Sequence, residues 1–243
     1  MTAQSIKWFW FASPHTFFPL AGKIARVCAV LAVVFGIAGL YVGLFVAPTD
    51  AQQGEVYRII FIHVPAAWMS MFIYVVMACW AAIGFAMHTR LSAMMARALA
   101  PTGALFTFIA LWTGAFWGRP TWGTYWAWDA RMVSELVLLF LYFGYIALAC
   151  AFEDPRRGDR AASLLALVGI VNLPIIYFSV QWWNTLHQGS TVKFTGSSMH
   201  VTMLVAMLLM AFAAWMYSIG AILWRVRSII LERERRTRWV RAL

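Results

Sequence analysis

The chain is predicted to be an all-α integral membrane protein with six transmembrane helices and both termini cytoplasmic. Three observations carry that expectation. Of its 243 residues, 63% are hydrophobic and only 12% charged, where a soluble domain carries about a quarter charged residues. Six apolar runs recur along it, each near the ~20 residues that cross a hydrocarbon core. The basic residues are divided unequally between alternate connections, as positive-inside sorting demands.

The elements follow in order. The opening "SIKWFWFASPHTFFPL" is aromatic but too short and interrupted for a cleaved signal peptide, and reads as an interfacial segment. The first span covers about 24–46. The second, 66–87, follows "YRIIFIHVPAAW"; proline favours a helix's first turn, so Pro65 places His63 at the mouth of this span. The third, 98–117, runs into "WGRPTWGTYWAWD", which holds Trp117, Trp122, Trp126, Trp128 and Asp129. The fourth, 132–152, is entered through Asp129 and Arg131. Glu135 stands one turn beyond Arg131, as an i,i+4 partner or as a functional acid close to lipid. In the fifth, 161–182, Asn172 and Pro174 mark a kink with a satisfied amide. The sixth covers about 199–224. Backbone groups in lipid must be satisfied within the segment, so each run is a helix. GxxxG spacings at Gly39 and Gly43 and at Gly114 and Gly118 read as close helix packing. Connections this short leave little room for a soluble domain, so 1–243 is expected to form one membrane domain with an external tryptophan-rich loop at 117–131.

The net charge of +10 invites a nucleic-acid reading, but its placement argues otherwise. In a six-span chain both ends share one side. That side collects Lys7, Lys23, Arg26, Arg90, Arg97, Arg156, Arg157, Arg160 and seven arginines from Arg225 to Arg241, leaving Arg58, Arg119, Arg131 and Lys193 opposite. Fifteen of 19 therefore mark the cytoplasmic face. The tail "RERRTRWVR" reads as a contact for anionic lipid or a partner, not nucleic acid. Cys28, Cys79 and Cys150 fall in spans without a CxxC pattern and indicate neither a zinc site nor a disulfide framework. No CxxCH and no Walker-type loop occurs, so any ATP-driven step belongs to a partner.

The external segments are then about 47–65, 118–131 and 183–198. They bring His63, the tryptophan loop and His187 to one membrane face. Neutral imidazoles are axial ligands for haem iron. Indoles give a broad apolar surface, and Arg58, Arg119 and Arg131 could grip propionates. Each piece also has a plainer reading. A histidine at a helix mouth can be structural, and the tryptophans can be an interfacial belt. Trp117, bordering the third span, is the first candidate for belt. Jointly, on one face, they favour a ligand site. His15 and His88 fall on the other side, and His200 is a spare candidate.

"WGTYWAWDAR" resembles the tryptophan-rich (WWD) W-G-x-x-W-x-W-D signature of the haem-handling proteins of cytochrome c maturation. With "YRIIFIHVPAAW" and "NLPIIYFSVQWWNTLHQGST", the stretch from about Ala47 to Thr191 is most similar to the CcmC, or haem exporter protein C, family. Tyr125 stands where many relatives have another tryptophan. The resemblance implies a multi-pass bacterial inner-membrane protein that binds haem b on the periplasmic side. His63 and His187 would be the axial ligands, and Trp117, Trp122, Trp126, Trp128 and Asp129 the platform. It further implies delivery to the haem chaperone CcmE within an ABC transporter complex of CcmA, CcmB and CcmD, with ATP hydrolysis on CcmA and no enzymatic turnover by this chain. The competing readings are a b-type membrane cytochrome and a permease or scaffold subunit without haem. Sustained redox turnover with a quinone donor would mark the first, and absence of haem after gentle purification the second.

Overall fold

The computed structural model describes residues 13–183, 185–187, 189, 192–193 and 196–243. Of the expected interfacial segment at 5–20, residues 5–12, with Lys7, lie outside the described residues, and the rest from Pro14 is the first part of the first helix. Six helical stretches are long and apolar enough to cross a membrane: Pro14–Val46, Glu55–Met87, Arg90–Trp122, Ala130–Cys150, Pro155–Trp182 and Val201–Arg233. They are built from α1 (Pro14–Tyr41), α2 (Ile60–Met87), α3 (Arg90–Trp122), α4 (Ala130–Cys150), α5 (Pro155–Gly169), α6 (Asn172–Trp182) and α7 (Val201–Arg233), followed by the short α8 (Arg238–Arg241).

Polar punctuation sets the ends, and apolar residues fill the interval. Asp129 caps α4 by accepting from the Met132 amide at 2.8 Å. Asp154 caps α5 with Pro155 at its first position, where the missing N–H costs nothing. His200 caps α7, its Nδ1 accepting from the Thr202 amide. Gly123 ends α3 at φ 82°, in the left-handed region glycine occupies without strain. The longest helices, α3 and α7, each have 33 residues, roughly 50 Å at 1.5 Å per residue. A hydrocarbon core is about 30 Å, so they extend past the apolar region that the hydropathy pattern marks.

That extension corrects one expectation. Pro65 does not open its helix; α2 begins at Ile60, with a 3-10 turn over Glu55–Ile59 ahead of it. His63 therefore lies inside the helical stretch, behind Tyr57 and Phe61, both buried. Before this turn, α1 ends in a π-helical segment, Val42–Val46. Such a segment leaves carbonyls without regular partners, and the Arg58 guanidinium takes those of Gly43 and Ala47 while its Nε meets Glu55. The fifth span breaks between α5 and α6, where Asn172 donates to the Ser134 carbonyl at 2.9 Å, so the kink and its satisfied amide are both present.

Packing follows small residues. α1 lies chiefly against α7, and α2 against α3. Ala21 and Ala25 are fully buried in the first pair, where a Cβ on Gly39 would stand 3.1 Å from the Met210 backbone nitrogen. Without a hydrophobic force between helices in lipid, such close backbone approach is what holds them. In the middle, Gly103 leaves the space that Tyr142 fills. Tyr142 in turn donates to the Ser70 carbonyl at 2.7 Å, tying α4 to α2.

Candidate functional site

His63 projects from α2 toward α3. Its Nδ1 lies 3.0 Å from Thr113 Oγ1. The Thr113 hydroxyl has one proton, and that proton is committed to the Ile109 carbonyl at 2.6 Å, the usual bond of a helical threonine to the preceding turn. Oγ1 must therefore accept from His63 Nδ1–H. In a neutral imidazole this leaves the Nε2 lone pair free, which is the arrangement a metal-ligating histidine needs. Gly114, one residue on, makes room for the ring: a Cβ there would stand 3.0 Å from His63 Cε1. Trp117 meets the ring edge-on at 5.6 Å between centroids and donates from its indole to Gln53 at 2.7 Å. It belongs to the histidine's surroundings and not to a lipid-facing belt.

His187 comes from the segment after α6. Trp122 lies against it, ring centroids 4.9 Å apart. Among the described residues its Nδ1 is buried without a hydrogen-bond partner, and Asp129 Oδ2 stands 3.8 Å away, beyond hydrogen-bond reach but close enough for charge to act. Burial first, then the Arg131 charge, pushes the imidazole down to about 4, against the opposing pull of Asp129. At neutral pH it is uncharged and able to ligate. Asp129 also accepts from the Leu186 amide at 3.2 Å. One carboxylate thus ends the tryptophan loop, starts α4 and holds the strand of chain that carries His187.

The two rings line one narrow cavity of about 30 Å³, together with Gly114, Arg131, Met132 and Glu135. That is the space of roughly one water. The donor set fits haem: two neutral imidazoles, one with an orphaned buried nitrogen, beside aromatic rings and a guanidinium. The volume does not enclose a porphyrin. A planar macrocycle needs more room between the two histidines than this arrangement gives.

The remaining predicted residues divide. Arg131 reaches the cavity and donates to the Ile176 carbonyl at 3.2 Å. Arg58, spent on the end of α1, does not line the cavity. Arg119 is exposed, donates to the Gly123 carbonyl and faces the Tyr125 ring at 5.8 Å. Trp126 and Trp128 pair edge-to-face at 5.5 Å; Trp126 Nε1 is buried and unpaired, and Trp128 is 82% exposed. Glu135 is buried and does not pair with Arg131: it accepts from Ser70 at 2.7 Å, and no ion pair joins the two among the described residues. His200 serves as a helix cap and lines no part of the cavity. His88 closes α2 beside Arg160, and His15 packs on Trp239, both at the end of the bundle that holds the chain termini. Thr113, Ser70 and Gln53 escaped the sequence reading. Each acts across a helix boundary on a residue 50 or more positions away, and no local pattern marks that.

A family description, Heme exporter protein C, matches residues 7–241. Heme exporter protein C of Escherichia coli K12 is 48% identical over 232 residues, which cover 96% of this chain and 94% of the relative. The protein of the same name from Haemophilus influenzae is 42% identical over 240 residues, 97% and 98% of the two chains. That of Bradyrhizobium diazoefficiens is 45% identical over 227 residues, 93% and 86%. With His63, His187 and the tryptophan loop gathered at one end of six spanning helices, the chain belongs to the haem exporter protein C family.

Proposed function

We propose that this chain presents haem b at the periplasmic face of a bacterial inner membrane and delivers it to the haem chaperone CcmE for c-type cytochrome biogenesis. The observation that carries this reading is the convergence of two imidazoles, from α2 and from the segment after α6, on one cavity. Haem is cargo here, and its iron offers the two axial positions that such a pair takes.

The chain's own residues hold, orient and release. Thr113 holds the His63 proton on Nδ1, which leaves Nε2 for the ligand, and Asp129, 3.8 Å from His187 Nδ1, acts on that ring by charge. Trp117 and Trp122 stand against the imidazoles, and Arg131 is the cation placed for a propionate. In this reading haem enters and leaves chemically unchanged, and the chain acts as a transfer protein. CcmA, CcmB and CcmD are its partners in an ABC-type assembly, with nucleotide hydrolysis on CcmA. The bias of 15 of 19 basic residues supports cytoplasmic termini and a periplasmic histidine end.

The test is a visible spectrum of protein purified from haem-replete cells. His63→Ala and His187→Ala should each abolish the low-spin bis-imidazole bands, lower haem per protein and slow transfer to CcmE, with helix content unchanged. His15→Ala and His88→Ala, at the other end of the bundle, should match the parent. An unaltered spectrum in His187→Ala removes it as a ligand and brings His200 forward.

A further inference from the structure

At the opposite end of the bundle, where α1 begins and α7 ends, lies a cavity of about 530 Å³. Three cations line it: Lys23 and Arg26 from α1 and Arg227 from α7. Phe18, Trp224 and Trp239 form its apolar walls. The Arg227 guanidinium lies 4.2 Å from the centroid of the Phe18 ring, over Gly22, and its Nε is buried with no hydrogen-bond partner among the described residues.

Two arginines at this end are paired with acids. Arg233 grips Asp159, with one bond at 2.8 Å, and Arg90 meets Glu234 at 3.0 Å. Lys23, Arg26 and Arg227 have no acidic partner within 4 Å among the described residues. No acidic side chain among those residues lines the cavity; Leu243 also lines it, and its terminal carboxylate pairs with none of the three cations within 4 Å. A partly buried guanidinium with an unpaired nitrogen is costly unless an anion completes it. The roomy site with three uncompensated cations is therefore built for a negatively charged group.

Its surroundings say which one. One turn along α1 from Lys23 and Arg26, the outward face becomes apolar, with Val27 60% and Val30 63% exposed. Trp224, 46% exposed, stands at the rim, and indoles favour the headgroup level of a bilayer. A ligand with a phosphate and acyl chains matches both halves; a free phosphate uses only the first. We propose that this cavity is a headgroup site for an anionic phospholipid, with Lys23, Arg26 and Arg227 receiving the phosphate oxygens and the chains lying along α1.

Native mass spectrometry of the whole protein, released from micelles containing equal phosphatidylglycerol and phosphatidylcholine, tests this. The parent should retain phosphatidylglycerol preferentially. Each cation neutralised should lower that preference about fivefold, the effect of one basic residue near an anionic surface. The double variant Lys23→Gln, Arg26→Gln changes exposed positions on α1 and so keeps the test open should Arg227→Gln fail to fold. Arg156→Gln with Arg157→Gln, exposed residues outside the cavity, removes the same charge and should keep the parent's preference. Equal loss in both double variants, or equal retention of the two lipids by the parent, overturns the proposal. Displacement of the lipid by excess inorganic phosphate also overturns it, in favour of a free-anion site.

Discussion

Replacing Thr113 with valine keeps the volume beside His63 and deletes the side-chain oxygen that accepts from its Nδ1–H. Two consequences follow. The buried N–H loses its partner, which costs about 1–3 kcal/mol of desolvation. The ring is then free to take the other tautomer, with the proton on Nε2, where it cannot ligate. Loss of such an outer partner typically weakens a metal site by about 10–100-fold. The assay is haem loss from purified protein to excess apomyoglobin, followed by absorbance. Thr113→Val should release haem about 10–100 times faster than the parent, with helix content and membrane insertion unchanged. Thr113→Ser retains the hydroxyl and should restore the parent rate. The tautomer argument would be refuted by parental haem loss in Thr113→Val alongside a spectral defect in His63→Ala. It would fail equally if serine did no better than valine.

Three further outcomes are expected. Single cysteines at 118–130 and 183–198 should be labelled from outside intact cells and those at 153–160 should not; external labelling of 153–160 would overturn the orientation. Gly114→Ala places a Cβ 3.0 Å from His63 Cε1, so it should shift the low-spin bands and speed haem loss by about tenfold, as disturbing the support behind a metal ligand does, while leaving expression intact; a parental spectrum would show that the ring has room to move. Trp→Phe at positions 117 and 122 should reduce haem per protein more than at 126 and 128, because only the first two rings stand against the histidines; uniform tolerance across all four, measured as haem per protein and transfer to CcmE, would return the loop to the interfacial belt.

The helices were legible because lipid imposes its own length and composition on each of them. Their ends were less so. Hydropathy registers where apolar residues stop, and the second, third and sixth helical stretches continue past that point through residues such as Tyr57, Arg119 and Arg227. His63 and His187 could be assigned to one face by counting spans, since parity alone fixes the side. Parity says nothing about what touches what. Arg58 and Arg131 looked alike from the sequence, as sparse cations on the histidine face. One satisfies carbonyls at a π-helical end, and the other lines the cavity; only the path of the backbone between Gly43 and Ala47 separates them.

The tryptophan loop shows the same limit with a further consequence. Its signature reads as one aromatic platform, yet the fold divides it at Gly123, where α3 ends with φ 82°. On the helical side, Trp117 and Trp122 are held at fixed angular positions on α3 and reach His63 and His187. On the loop side, Trp126 and Trp128 pack on each other, and Trp128 is 82% exposed. The inner pair stands against both imidazoles and is suited to hold a ligand between them. The outer pair packs on itself, so a ring change there alters the loop before it alters the surroundings of either histidine.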